Sequence, residues 1–119
     1  MAIFAVNEQV LNLFNDLLHD LYFESPLEGF TSNRGTITIT FLDKDCCIHK
    51  DMVAEYQLCI HDVLEVETKG SLEQLPGNEV ELNEIDFVEK EPKKVILRCV
   101  HPFRLICTVA RLRLSLDQL

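Results

Sequence analysis

The chain has 119 residues, of which 47% are hydrophobic and 26% are charged. These proportions predict one globular domain, residues 1–119, whose core needs neither a disulfide nor a bound metal. The formal net charge is −9, which argues against binding to nucleic acid or to an anionic membrane, because phosphate groups are bound by Lys and Arg.

The N-terminal segment and the cysteine usage predict a cytoplasmic protein. The start of the chain, Met1 to Val6, lacks the basic residues and the length of a signal peptide. No apolar run reaches the roughly 18 residues that a transmembrane helix requires. The five cysteines are an odd number, which is typical of free thiols in a reducing compartment. We expect no cofactor.

An amphipathic helix is predicted to follow Asn7, whose side chain can cap its first turn. Apolar residues then recur at helical spacing, at Val10, Phe14, Leu17 and Leu21. Asn15 falls on the opposite, polar side. The helix is expected to end near Tyr22 or Phe23, because Ser25 precedes a proline and is disfavoured in helical conformation.

The rest of the chain predicts five or six strands joined mostly by short turns. The predicted strands are Thr36–Phe41, an uncertain segment around Cys46, Gln57–Thr68, Glu79–Glu89, Val95–Cys99 and a last strand from Phe103. A slip in alternation between Leu82 and Ile85 predicts a bulge or a short break in the strand. Parallel pairing would require long crossovers. The expected fold class is therefore α+β, with the helix packed on a curved, mainly antiparallel sheet that resembles half a barrel.

The last predicted strand, residues 103–116, has an unusual apolar pattern. Its even positions are almost all apolar, and its odd positions are apolar up to Val109. The first half therefore needs cover on both faces, from a curled sheet, from the loop around Phe30, or from a second copy of the chain. A second copy would make a homo-oligomer with an interface at Leu105, Cys107, Val109, Arg111 and Arg113. The competing interpretation is a C-terminal helix, because Ala, Leu and Arg favour helices.

Positive charge is concentrated in the same region. Residues 93–119 contain six Lys or Arg against one Asp, so they carry +5 while the rest of the chain carries −14. We expect the acidic segment 79–91 to lie beside the basic C-terminal segment, where each cross-strand pair contributes roughly 0.2–1 kcal/mol. The acidity of the remainder also suits a basic protein as partner.

Three Cys-x-His pairs are the candidate metal ligands: Cys47 and His49, Cys59 and His61, and Cys99 and His101. Residues two apart share one face of a strand, and zinc accepts thiolate and imidazole ligands. The spacings of known structural zinc sites are missing, so the expectation is that no metal is bound. A small-ligand site would be lined by Cys59, His61, Cys99, His101 and Cys107.

No nucleophile or phosphate-loop motif is present in the sequence. The favoured interpretation is therefore a small acidic, non-catalytic cytoplasmic protein that acts through protein–protein contacts. It would self-associate, or neutralise a basic partner as an inhibitor or immunity-type protein does. The alternative is a small-ligand or metal-binding domain, with an enzymatic use, whose Cys and His groups lie in the concave face of the sheet.

Overall fold

A computed structural model of the protein describes residues 3–19, 21–24, 35–43, 54–70, 79–100 and 103–118. In chain order the elements are β1 (Ile3–Ala5), α1 (Glu8–Leu18), β2 (Tyr22–Glu24), β3 (Thr36–Asp43), β4 (Ala54–His61), β5 (Val63–Lys69), β6 (Glu79–Val88), β7 (Lys94–Cys99), β8 (Arg104–Val109) and β9 (Arg113–Gln118). The described residues form one helix and nine strands. This composition confirms the predicted α+β class.

The described strands form one antiparallel sheet in the order β1-β9-β4-β3-β2-β6-β7-β8-β5. The prediction of five or six strands was wrong, since the described residues form nine, and the sheet is not a barrel. Two of the added strands, β1 and β2, have three residues each, which is too short for alternation to reveal. The others arise because two predicted strands are each divided in two.

The helix α1 begins as predicted and ends earlier. The Asn7 Oδ1 atom accepts a hydrogen bond of 2.9 Å from the Val10 N–H group, which caps the first turn. Leu11, Phe14 and Leu18 are buried on one face. The helix stops at Leu18 because the chain then forms β2, which is hydrogen-bonded to β3 on one side and to β6 on the other. The central residue of β2, Phe23, is buried against Phe41 with ring centroids 5.2 Å apart.

The sheet has two halves, β1-β9-β4-β3-β2 and β6-β7-β8-β5. Two chain segments, 54–69 and 104–118, pair with each other in both halves. β4 pairs with β9 and β5 pairs with β8. Both segments are interrupted at the same place, at Asp62 in one and at residues 110–112 in the other, where the Ala110 N–H group donates to the Asp62 carbonyl at 2.8 Å. Asp62 has a φ of 56°, a left-handed conformation that Asp tolerates better than most residues.

This interruption corrects the interpretation of the last strand. In β8 the odd residues Leu105, Cys107 and Val109 lie in the hydrophobic core, whereas in β9 the even residue Leu114 does. The core-facing parity changes at 110–112, so residues 103–116 are two strands and not one. The apolar face of β8 is therefore covered by the protein's own elements. The C-terminal helix is also excluded, since β9 is a strand.

Among the described residues, one hydrophobic core joins α1 to both halves of the sheet. The predicted alternation of β3 is confirmed, because Ile37, Ile39 and Phe41 are buried and the threonines between them are exposed. The predicted bulge of β6 is confirmed by a register shift between Leu82 and Glu84. Within the described part of the chain, no helix has the length and hydrophobicity needed to span a bilayer.

Candidate functional site

The predicted Cys and His ligands lie on two different faces of the sheet. Leu58 and Ile60 of β4 belong to the core, so Cys59 and His61 face the other side. There Cys59 Sγ lies 3.6 Å from Thr38 Oγ1, and His61 Nε2 is hydrogen-bonded to Ser115 Oγ at 2.9 Å.

Cys99 and Cys107 are instead packed with the core. Cys107 pairs with Val95, four residues along β7 from Cys99, so the two thiols are roughly 13 Å apart along the strand. The described part of the predicted ligand set therefore does not converge on one point.

The thiols of Cys99 and Cys107 are also expected to be unreactive. Burial raises the pKa of Cys99 and of Cys107 from the ordinary 9.0 to about 12 in each case. Both are protonated at neutral pH, whereas the thiolate is the form that binds metals and attacks substrates. Among the described residues, no group of three His, Cys, Asp or Glu is placed to hold a metal ion. Cys47, His49 and His101 lie outside the described residues, so the role of their pairs stays a prediction.

The structure places most of the predicted interface residues away from the surface. Leu105, Cys107 and Val109 are buried in the core, so they offer no surface to a partner. Arg113 makes an ion pair with Asp62, with Nε at 2.7 Å and Nη2 at 2.6 Å from the same carboxylate oxygen. This pair closes the corner between the two halves of the sheet. Arg111, on the turn before β9, is exposed.

The helix α1 lies against an edge of β6 that none of the described strands covers. β2 pairs with β6 only from Glu79 to Glu81. Beyond that point the Asn15 side chain makes the hydrogen bonds to β6. Its Nδ2 atom donates to the Ile85 carbonyl at 3.0 Å, and its Oδ1 atom accepts from the Ile85 N–H group at 2.7 Å. The His19 ring adds a hydrogen bond of 3.1 Å to the Asn83 carbonyl.

The helical pattern places Asn15 on the polar side of the helix and does not predict this contact. Its partner is 70 residues away, and an Asn among other polar helical residues carries no signal of a distant strand edge. In the structure Asn15 acts like one residue of a neighbouring strand. It satisfies both backbone groups of Ile85 and fixes the distance between α1 and β6.

An open groove of about 550 Å³ lies between α1 and β6. Its rim carries four carboxylates, Glu8, Glu84, Asp86 and Glu89, with Lys90 as the single cation among its described lining residues. Its apolar surface comes from Leu11, Ile85, Phe87 and Val88. We call this feature the acidic groove. None of these residues is among the predicted site residues, although the acidic segment 79–91 was expected to lie beside the basic C-terminal segment.

The four carboxylates of the acidic groove differ in how they are compensated. Arg98 of β7 lies 3.8 Å from Glu84 and 3.4 Å from Asp86, which confirms the predicted pairing of the acidic segment with the basic one. Within the described part of the chain, Glu8 and Glu89 make no ion pair. The groove therefore keeps uncompensated negative charge at both walls, on α1 and on the end of β6.

Comparisons of this chain with protein-family models, with curated proteins and with solved structures found no match.

Proposed function

We propose that the protein is a non-catalytic binding protein whose acidic groove accepts a Lys- or Arg-rich segment of a partner protein. The observation that carries this proposal is the groove itself, whose described lining has four carboxylates and one cation around an apolar floor. A basic side chain fits both features, because its aliphatic stem packs on apolar surface while its charged head meets a carboxylate. The volume of about 550 Å³ is within the usual range of ligand-binding clefts.

Charge alone does not supply a tight complex. An exposed ion pair contributes roughly 0.2–1 kcal/mol, so two uncompensated carboxylates contribute about 0.4–2 kcal/mol, against the roughly 8 kcal/mol of a micromolar complex. The partner must therefore also fill the apolar floor at Phe87 and Val88. The net charge of −9 acts mainly on the rate of encounter, through electrostatic steering.

Two observations support a non-catalytic role. The core thiols Cys99 and Cys107 are protonated at neutral pH because burial raises their pKa to about 12. Ser115, which is hydrogen-bonded to His61, is 0% exposed, so it presents no hydroxyl to a substrate. We place the protein in the cytoplasm and propose that it neutralises its basic partner by occupancy, as inhibitors and immunity-type proteins do. The alternative of a Cys/His ligand site has less support, because Cys59 and His61 face the opposite side of the sheet from Cys99 and Cys107.

Binding to a defined basic probe tests this proposal. A fluorescein-labelled Lys/Arg-rich peptide is titrated with the wild type, with the double variant E8Q/E89Q, and with the control D16N/E65Q. The control removes two exposed charges that do not line the acidic groove. We expect E8Q/E89Q to weaken binding by about 2- to 30-fold at low salt and the control to change it little. Equal weakening by both variants would show that only net charge matters and would refute the groove.

Self-association through a second surface is the other candidate. Leu13 and Leu17, one turn apart on α1, are 59% and 49% exposed, and Ile3 and Phe4 of β1 are also exposed. Phe4 packs edge-on against Phe14 at 6.0 Å, so the patch runs from the helix to β1. β1 is the end strand of the sheet order, and an edge strand is a template for pairing. We propose that a second copy adds its own β1 there.

Sedimentation velocity tests whether the protein self-associates through this patch. A dimer at micromolar concentration that becomes a monomer in L13Q/L17Q supports the patch as the interface. A monomeric wild type across that range removes self-association, without affecting the peptide result.

A further inference from the structure

Three cations lie side by side on three adjacent strands, near the C-terminal end of β7. Arg104 of β8 is the direct cross-strand partner of Lys69 of β5 and of Arg98 of β7. Direct partners in an antiparallel pair point to the same face with Cβ atoms roughly 5 Å apart. The three side chains therefore form one continuous row, which we call the cationic row, in a protein of net charge −9.

This arrangement is unfavourable for the free protein. Like charges directly opposite each other destabilise a sheet. The two outer members have carboxylate neighbours, because Arg98 lies near Glu84 and Asp86, and Lys69 lies 4.0 Å from Glu67. Arg104, the central member, makes no ion pair within the described ranges. A bound anion would therefore stabilise this arrangement, in which an exposed guanidinium lies between two other cations.

The cationic row lies beside a depression of suitable size. An open cavity of about 510 Å³ is lined by all three cations and by Gly70, Asn83 and Val100, among others. Asn83 supplies a polar side chain, and Val100, which is 54% exposed, supplies apolar surface. The cavity thus offers cations for a charged group and a mixed wall for the organic group attached to it.

We propose that this depression binds a small phosphorylated molecule, with its phosphate over Arg104. A phosphate monoester carries a charge of about −1.5 to −2 and three acceptor oxygens, and a guanidinium donates two parallel hydrogen bonds to such a group. Lys69 and Arg98 then contact the remaining oxygens, and Val100 contacts the organic part. A carboxylate has less charge and fewer oxygens, so it satisfies the cationic row less well.

The surrounding charges favour a small ligand over a polymer. Glu67 stands beside Lys69, and Glu84 and Asp86 stand beside Arg98, so carboxylates border the row at both ends. A single phosphate fits between them, whereas a nucleic-acid backbone extending in either direction would meet negative charge. The net charge of the whole chain opposes a polyanion in the same way.

NMR titration of the full chain tests this proposal, with glycerol 2-phosphate and inorganic phosphate as probes and acetate as the comparison anion. Signals of arginine Nε–H groups and of backbone amides at residues 69–70, 98–100 and 103–104 report binding. We expect saturable shifts at these positions with millimolar or tighter affinity, in the order monoester, inorganic phosphate, acetate. R104Q should weaken monoester binding about tenfold and K69Q by less, while R111Q, an exposed arginine outside the depression, should leave it unchanged.

Three outcomes would overturn the proposal. The first is the absence of saturable shifts at 50 mM probe, and the second is an equal loss of affinity in R111Q and R104Q, which would show attraction to any surface arginine. The third is a wild-type dimer that R104Q dissociates, because carboxylates of a second copy would then be the natural occupant. None of these measurements involves Glu8 or Glu89, so the fate of the peptide-binding proposal is decided separately.

Discussion

Replacing Asn15 with aspartate should lower the free energy of unfolding at neutral pH, and the loss should become smaller at acidic pH. The substitution keeps the size of the side chain and its oxygen acceptor, so the bond of 2.7 Å from the Ile85 N–H group survives. It removes the donor that the Ile85 carbonyl uses at 3.0 Å and places a negative oxygen there. Losing one such hydrogen bond costs about 1 kcal/mol, and leaving a partly buried carbonyl unsatisfied raises the total to about 2 kcal/mol.

The pH dependence of this loss follows from the same geometry. When the introduced carboxyl is protonated, its O–H group donates to the Ile85 carbonyl and restores the pair. The folded state therefore favours the protonated form and raises the carboxyl pKa above its unfolded value of about 3.9. A loss of about 2 kcal/mol corresponds to a rise of about 1.5 pH units, since one unit equals about 1.36 kcal/mol. The stability deficit should be smallest below pH of about 3.9 and should grow as the pH rises to about 5.4.

Urea unfolding of N15D and of the wild type at pH 4 and pH 7.5 measures this difference directly. The matched control is N12D, which adds the same charge to the same helix at an exposed position. We expect N15D to lose about 2 kcal/mol relative to the wild type at pH 7.5 and clearly less at pH 4, while N12D stays near zero at both. A deficit in N15D that matches N12D, or that does not shrink in acid, would refute the role given to the Asn15 amide.

Further tests concern the corner at Asp62, the buried thiols and the hydrophobic core. D62N and R113Q should each lower the free energy of unfolding by about 1–2 kcal/mol, and a double-mutant cycle in urea should show that the losses are not additive, because both remove the same ion pair. Because burial raises their pKa to about 12, Cys99 and Cys107 should resist iodoacetamide at pH 8 until the protein unfolds, as peptide mass spectrometry would show. The same raised pKa means that the stability contributed by these thiols is present below pH 9.0 and is lost as the pH rises towards 12. L105A should cost about 2–5 kcal/mol without changing the sedimentation coefficient, since Leu105 is part of the core; a changed oligomeric state would restore it to an interface.

The features that were predictable from the sequence are those set by neighbours along the chain. The cap at Asn7, the alternation of Ile37, Ile39 and Phe41, and the bulge after Leu82 all depend on residues within about one helical turn or one short strand. The pairing of the acidic and basic segments was predictable for a similar reason. β6 and β7 are joined by a short turn, so their charges meet whatever the rest of the fold does.

The features that were missed depend on where distant segments meet. The conformation of Asp62, with a φ of 56°, divides one predicted strand, and its contacts with Ala110 and Arg113 divide another. No local pattern marks this corner, because strand alternation is counted on the assumption that the strand continues. The acidic groove was missed for the same reason, since it exists only where α1 meets the open edge of β6 at Ile85.

The two proposed sites share one set of ion pairs, and this sharing predicts how they influence each other. Glu84 and Asp86 line the acidic groove, and Arg98 belongs to the cationic row. Arg98 lies 3.8 Å from Glu84 and 3.4 Å from Asp86. A basic side chain bound in the groove competes with Arg98 for these carboxylates, which leaves Arg98 more available to an anion.

Binding at the two sites should therefore be mutually favourable, and by linkage the effect must be equal in both directions. The two ion pairs set its upper limit, about 0.4–2 kcal/mol or roughly 2- to 30-fold in affinity. In R98Q the carboxylates have no competitor and the anion site has no third cation, so the basic peptide should bind equally well with and without glycerol 2-phosphate. Coupling that persists in R98Q would mean that the two sites communicate by another route or that the sites are misplaced.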